Sequence, residues 1–151
     1  MMTTKMNNLE LKYTKDYKSL VNYFDVVEWM RHTYIIFNSL YFDNLLPPDN
    51  MMIFEPIIKN VKYLGIAYNC NSGFASVKDP MKIRLNFNYD IVELEWKNVL
   101  LHEMIHIWEY TLGYKGGHGK LFKRKMNEIN KYGWGITCCY KNILEEVKTW
   151  R

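Results

Sequence analysis

The sequence is poor in cysteine, has no long apolar run and carries little excess charge, and each shortage removes a class of protein. Its three cysteines, Cys70, Cys138 and Cys139, are odd in number and form no C-x-x-C pair. Neither a disulfide scaffold nor a zinc ribbon follows from them, and they read as buried or half-buried thiols in a reducing cytosol. No apolar stretch approaches the roughly 20 residues that a membrane span needs. The opening "MMTTKMNNLELKYTKDYKSL" lacks the hydrophobic core of a signal peptide, so a cytoplasmic location with no membrane partner is expected. Lys and Arg number 20 against 16 Asp and Glu, a net charge of +4. That balance permits a polyanionic partner without demanding one. There is no internal repeat and no low-complexity linker.

What is there suits one globular domain. Of 151 residues 48% are apolar and 24% charged, which is ordinary for a packed core and too short for two comfortable domains. Residues 1–15 are polar and read as a loose N-terminal segment, leaving 16–151 as the single domain. From Asp16 the apolar residues Leu20, Phe24, Val27, Tyr34, Phe37 and Tyr41 recur at helical steps, with His32 off the stripe and on the surface. That helix should stop before Pro47-Pro48. "MMIFEPII" and "VKYLGIAY" read as strands, Pro56 marking an edge or an irregularity. A short strand is expected around Phe74 to Val77. "MKIRLNFNY" alternates cleanly, with Ile83, Leu85, Phe87 and Tyr89 facing inward and Lys82, Arg84, Asn86 and Asn88 outward. A long helix then runs from a cap at Asp90, with Glu93 in its first turn, to a stop at Gly113. It is apolar around most of its circumference, so it should be the central buried helix. After "GGHG" a second helix carries Phe122, Met126 and Ile129 inward and ends near Gly133. "WGITCCY" is a candidate final strand, and the last ten residues a candidate short helix.

The central helix contains "HEMIH", residues 102–106. Residues four apart share a helix face, so His102 and His106 can present two imidazoles to one ion. Glu103 then stands where its carboxylate reaches an activated water without ligating, the general-base position of the H-E-x-x-H zinc hydrolases. Chance produces the pattern in roughly half a per cent of chains this long. The structural alternative, two histidines and a glutamate satisfied by hydrogen bonds inside an apolar helix, is costly without such partners.

A catalytic zinc normally takes three protein ligands and a water. The residue three after His106 is Glu109 rather than a helix-breaking glycine, so the third ligand must come from beyond Gly113. The histidine there is His118, in "GYKGGHGKLF", where glycines let the chain fold back. His118 precedes Phe122 by four residues and so starts the inner stripe of the following helix. Glu109, within one turn of His106, is the fallback ligand, and three imidazoles favour a single Zn2+.

"LLHEMIH", "GGHGKLFKRKMNEIN" and "FNSLYFDNLLP" together resemble the SprT-like domain of bacterial SprT proteins and the Spartan proteases. The resemblance covers roughly residues 26–140. It implies an α+β, zincin-like fold: a small, mostly antiparallel sheet packed on helices that include the central H-E-x-x-H helix. It further implies His102, His106 and His118 as zinc ligands, Glu103 as the catalytic base, and Met126 as a candidate apolar floor under the metal. Spartan-type relatives cleave proteins crosslinked to DNA, so DNA-protein crosslink repair is the family-level expectation. The chain lacks the cysteine ribbon of many bacterial relatives and reads as the bare catalytic domain.

On the second helix Lys120, Lys123, Arg124, Asn127 and Lys131 fall opposite the apolar stripe, near Tyr114, Lys115, Tyr132 and Trp134. Cations beside aromatics suit single-stranded DNA, while a solvated face over core aromatics is the structural alternative. The expected activity is a zinc endopeptidase acting on a protein or peptide laid along a sheet edge, with Tyr110, Tyr114 and Tyr132 as oxyanion candidates. A peptide deformylase would need a Glu-Gly-Cys ligand where this chain reads "YNCNSG". A non-catalytic, zinc-stabilised DNA- or protein-binding module would close the site with Cys138 or Cys139 and would not need Glu103.

Overall fold

A computed structural model describes residues 23–58, 61–69, 80–89 and 91–139. The expected loose N-terminal segment, the strand around Phe74 to Val77 and the C-terminal helix lie outside these residues. Helix α1, Tyr23–Tyr41, buries Val26, Trp29, Met30, Tyr34 and Phe37 at three- and four-residue steps. Phe24, expected on that stripe, is 77% exposed, because the buried face is centred on Trp29 and Met30. His32 is exposed, as expected. The helix ends six residues before Pro47: Asp43 and Asn44 take left-handed backbone, which short polar side chains tolerate. The Asn38 amide then ties down Leu46 through both its N–H and its C=O.

A 3₁₀ turn at Asp49–Met51 leads into three strands: β1, Met52–Pro56; β2, Gly65–Tyr68; β3, Met81–Leu85. Their order is β1-β3-β2, with β1 parallel and β2 antiparallel to β3. The sheet is therefore mixed, and the expected antiparallel character holds for one of its two pairings. β3 takes the centre because Ile83 and Leu85 are fully buried, and Pro56 closes an edge strand, where a missing N–H is harmless. Phe87 and Tyr89 continue the inward face beyond the strand. Asn86 departs from the expected outward face. It is fully buried, and its amide donates to the carbonyls of Val61 and Tyr63 at 3.0 Å each, which fixes the entry into β2.

Helix α2, Glu93–Thr111, is the central element: Leu100, Leu101, Met104, Ile105 and Ile107 have no exposed surface. Its N-cap is Val92 rather than the expected Asp90, and Glu93 in the first turn accepts a hydrogen bond from the Trp29 indole at 2.9 Å. Helix α3, Lys120–Asn130, packs Phe122 and Ile129 against it. Between those two, Lys125 is buried with its ammonium over the rings of Phe42 and Trp108, at 5.2 and 5.3 Å. The stretch expected as a final strand, from Trp134, has no sheet partner among the described residues. It is held instead by side chains. Asn130 exchanges two 2.9 Å hydrogen bonds with the backbone of Ile136, and Asn98 accepts from Gly135 N–H at 3.0 Å. Among the described residues no helix is long and apolar enough to cross a membrane.

Candidate metal centre

Two segments bring His102, His106 and His118 to one point. The first two lie a turn apart on α2, and the third sits in the glycine-containing loop just before α3. Gly113 (φ +90°) ends α2 in a conformation that favours glycine, and the chain returns beside the helix. The Nε2 atom of His118 lies 3.1 Å from that of His102 and 3.2 Å from that of His106. Phe122, fully buried, lies beneath all three rings at centroid distances of 4.8–4.9 Å. That makes Phe122 the apolar floor. Met126, the expected floor, instead accepts the Cys138 thiol at 3.8 Å.

The outer ring nitrogens determine what the inner ones can do. His102 Nδ1 is 2.6 Å from the carbonyl of Thr137, and His106 Nδ1 is 2.8 Å from Glu109 Oε1. A carbonyl or carboxylate oxygen can only accept, so both Nδ1 atoms carry the proton and both Nε2 atoms direct lone pairs inward. Burial pushes the His102 pKa down to about 3, the Thr137 carbonyl opposing and the two neighbouring histidines adding to the fall. Burial likewise lowers His106 to about 4. His118 is lowered too, first by burial and then by His106. The three imidazoles are thus neutral at pH 7. One proton on His118 Nε2 could satisfy only one of its two neighbours, whereas a cation satisfies all three nitrogens. Ligands at Zn–N distances of 2.0–2.1 Å on a tetrahedron lie about 3.3 Å apart, close to the spacing found here. The donor set fits a metal ion, and this histidine group could hold one.

Glu103 sits beside His102 at 3% exposure. Gly65, the first residue of β2, makes room for it: a Cβ there would lie 2.9 Å from Glu103 Oε2 and 3.1 Å from its Cγ. Glu109, the expected fallback ligand, is instead hydrogen-bonded to His106. Its buried carboxylate accepts from His106 Nδ1 and, at 3.4 Å, from Gly117 N–H in the His118 loop.

The SprT-like family matches residues 30–145, more than two thirds of the chain, and its match spans the histidine group. The chain belongs to the SprT-like family. No curated protein matches it.

Around this SprT-like centre the structure also arranges the other residues singled out in the sequence. Lys120, Lys123, Arg124 and Lys131 are exposed and, with Asn127 and Glu128, line one shallow groove on α3. The groove begins near the metal centre, since Lys123 is close enough to His118 to oppose its protonation. Tyr132, 73% exposed, packs on Tyr41 at 5.5 Å, and Trp134 donates its indole N–H to the Tyr41 hydroxyl at 2.7 Å. Both are therefore anchored to the end of α1. Tyr114 is exposed in the loop after α2. Tyr110, one turn beyond His106, is the tyrosine on the face of the metal centre, with its hydroxyl 3.4 Å from the Ala67 carbonyl.

Three contributors escaped the sequence reading: the Thr137 carbonyl, Gly65 as the space for Glu103, and Phe122 as the floor. Gly65 did carry a signal, because an isolated glycine inside a strand pattern marks a close approach.

Proposed function

We propose that this protein is a zinc-dependent endopeptidase in which His102, His106 and His118 hold one Zn2+ and Glu103 is the general base. The observation that carries the reading is the convergence of three imidazole Nε2 atoms, two of them fixed as lone-pair donors, beside a buried glutamate that such an ion does not need as a ligand. When bound, zinc supplies Lewis-acid polarisation of a carbonyl and lowers the pKa of water towards about 7. Glu103 accepts the proton of the attacking water and then delivers it to the leaving amine. Phe122 and the apolar wall of α2 keep bulk water from the inner side of the histidines, which preserves their neutral state. β2, an edge strand among the described residues, offers an extended polypeptide main-chain pairing with little side-chain selectivity.

The basic groove on α3 supports a second element of the proposal, contact with single-stranded DNA through Lys120, Lys123, Arg124 and Lys131, and with it a substrate bound or crosslinked to DNA. The alternative of a closed structural zinc site finds less support. The only metal-ligating group among the described residues is the three histidines, and Cys138 is directed at Met126.

The test compares wild type with Glu103→Gln, each shown to carry one zinc, on a basic DNA-binding protein with and without single-stranded DNA. Cleavage by wild type alone supports the peptidase, and a DNA-dependent rate supports the nucleic-acid element. Zinc-loaded wild type that binds DNA but cuts nothing would transfer the reading to a zinc-stabilised binding module.

A further inference from the structure

The pairing of β2 with β3 decides which backbone groups of the edge strand face outward. Asn86 N–H donates to the Leu64 carbonyl at 2.7 Å, so residues 64 and 86 form a hydrogen-bonded pair. Antiparallel partners alternate between bonded and non-bonded pairs. In this register Gly65↔Leu85 and Ala67↔Ile83 are then the non-bonded ones, and Gly65 and Ala67 direct their N–H and C=O away from β3. The Ile57 N–H bond to the Leu85 carbonyl agrees, since it takes that carbonyl to the β1 side. A polypeptide pairing with β2 must therefore use the backbone of Gly65 and Ala67.

Both positions touch the reactive face of α2. Glu103 lies against Gly65, and the Tyr110 hydroxyl donates to the carbonyl of Ala67. Two residues of strand span about 7 Å, so the carboxylate and the phenol flank the stretch of edge over which a paired substrate runs. At 3.4 Å the Tyr110 bond is far longer than the usual 2.7–2.8 Å for O–H···O, and is weak. The ring is better fixed than the hydroxyl. The loop closes on it at Gly116 (φ +84°), where a Cβ would come within 2.7 Å of Tyr110 Cε1. Burial, followed by Glu103 and Glu109, pushes the phenol pKa up, so it stays a donor at neutral pH.

We propose that Tyr110 is a catalytic residue whose hydroxyl is held by Ala67 in the free protein and donates to the scissile carbonyl oxygen once a substrate strand takes that carbonyl. This rests on the endopeptidase reading of the same site. In the step concerned, the water oxygen bonds to the carbonyl carbon, the C=O pair moves onto oxygen and the water proton goes to Glu103. Tyr110 keeps its proton and donates a hydrogen bond to the new oxyanion. Substrate pairing and transition-state stabilisation are thereby coupled. A chain that does not pair with β2 leaves the hydroxyl on Ala67.

Tyr110→Phe keeps the ring against Gly116 and removes only the hydroxyl. With zinc content and thermal midpoint checked, kcat on unfolded casein should fall about 100-fold, the usual loss for one oxyanion donor, while KM stays within about twofold. Affinity for a phosphinate tripeptide of alanines, which mimics the tetrahedral carbon, should fall by a similar factor in calorimetry. A kcat within threefold of wild type, with unchanged phosphinate binding, overturns the assignment of Tyr110 and leaves the endopeptidase standing. Zinc-loaded wild type that cuts neither casein nor a basic protein refutes the endopeptidase reading, and the assignment of Tyr110 falls with it.

Discussion

Replacing Glu109 tests how the candidate metal centre is built without touching a proposed ligand or the proposed base. Its buried carboxylate accepts a hydrogen bond from His106 Nδ1 at 2.8 Å, and removing it leaves that N–H without its acceptor at a half-buried position. A hydrogen bond to a charged group contributes about 1.5–3 kcal/mol, and a neutral one about 0.5–1.5 kcal/mol. Glu109→Ala should therefore weaken zinc binding about 10- to 100-fold, the range found when the partner of a metal-ligating histidine is removed. Glu109→Gln can still accept through its amide oxygen and should lose only about 1 kcal/mol, roughly fivefold. The ordering is the diagnostic part, because a site sensitive only to packing would treat glutamine as wild type. The assay is competition with a chromophoric chelator at pH 7.5 and 25 °C, with the metal-free variants shown to be folded by their far-ultraviolet spectra. Loosening of the His118 loop should follow, because the same carboxylate accepts from Gly117 N–H, while the backbone bond from Tyr114 N–H to the Glu109 carbonyl at 2.9 Å is kept. Zinc affinity of Glu109→Ala within twofold of wild type would refute the claim that this carboxylate orients His106.

Gly65→Ala should keep the fold and the metal yet cut proteolysis at least tenfold. The new Cβ displaces the Glu103 carboxylate while overpacking against Leu85 costs about 1–3 kcal/mol, and unchanged kcat with unchanged stability would sink the expectation. The metal-free protein should lose stability as the pH falls from 6.5 towards 4. His102 and His106 have folded-state pKa values near 3 and 4, below the ordinary 6.5, so the unfolded chain takes up protons that the folded chain refuses. That stability is complete above pH 6.5 and declines by up to about 1.4 kcal/mol per pH unit for each histidine. Urea midpoints in the presence of a chelator at pH 7.5, 6.0 and 5.0 measure it, and a flat profile would show that the histidines are not buried neutral.

Much of this centre was readable from residue order because its chemistry is written in local spacing. His102, Glu103 and His106 need only the pitch of one helix, and His118 is placed by a short glycine loop and the stripe it shares with Phe122. The basic face of α3 is legible for the same reason, four cations and an asparagine at helical steps. What escaped the reading depends on partners far apart in the chain. Asn86 alternates with the outward-facing residues, yet its amide is buried by a loop more than twenty residues earlier. The segment from Trp134 looks like a strand because it is aromatic and β-branched. Its backbone groups find Asn98 and Asn130 instead of a sheet.

That last difference is what completes the site. A strand at 134–137 would direct its carbonyls to a neighbouring strand. The irregular segment leaves the Thr137 carbonyl free to fix the tautomer of His102 from 35 residues away. His106 is fixed by Glu109 within its own helix, and the same glutamate holds the loop that carries His118. The two fixed tautomers thus depend on different backbone elements, and one of them depends on a segment with no regular secondary structure. Sequence periodicity reports regular elements only. It identifies which imidazoles meet, and it is silent on the acceptors that fix the tautomers of His102 and His106.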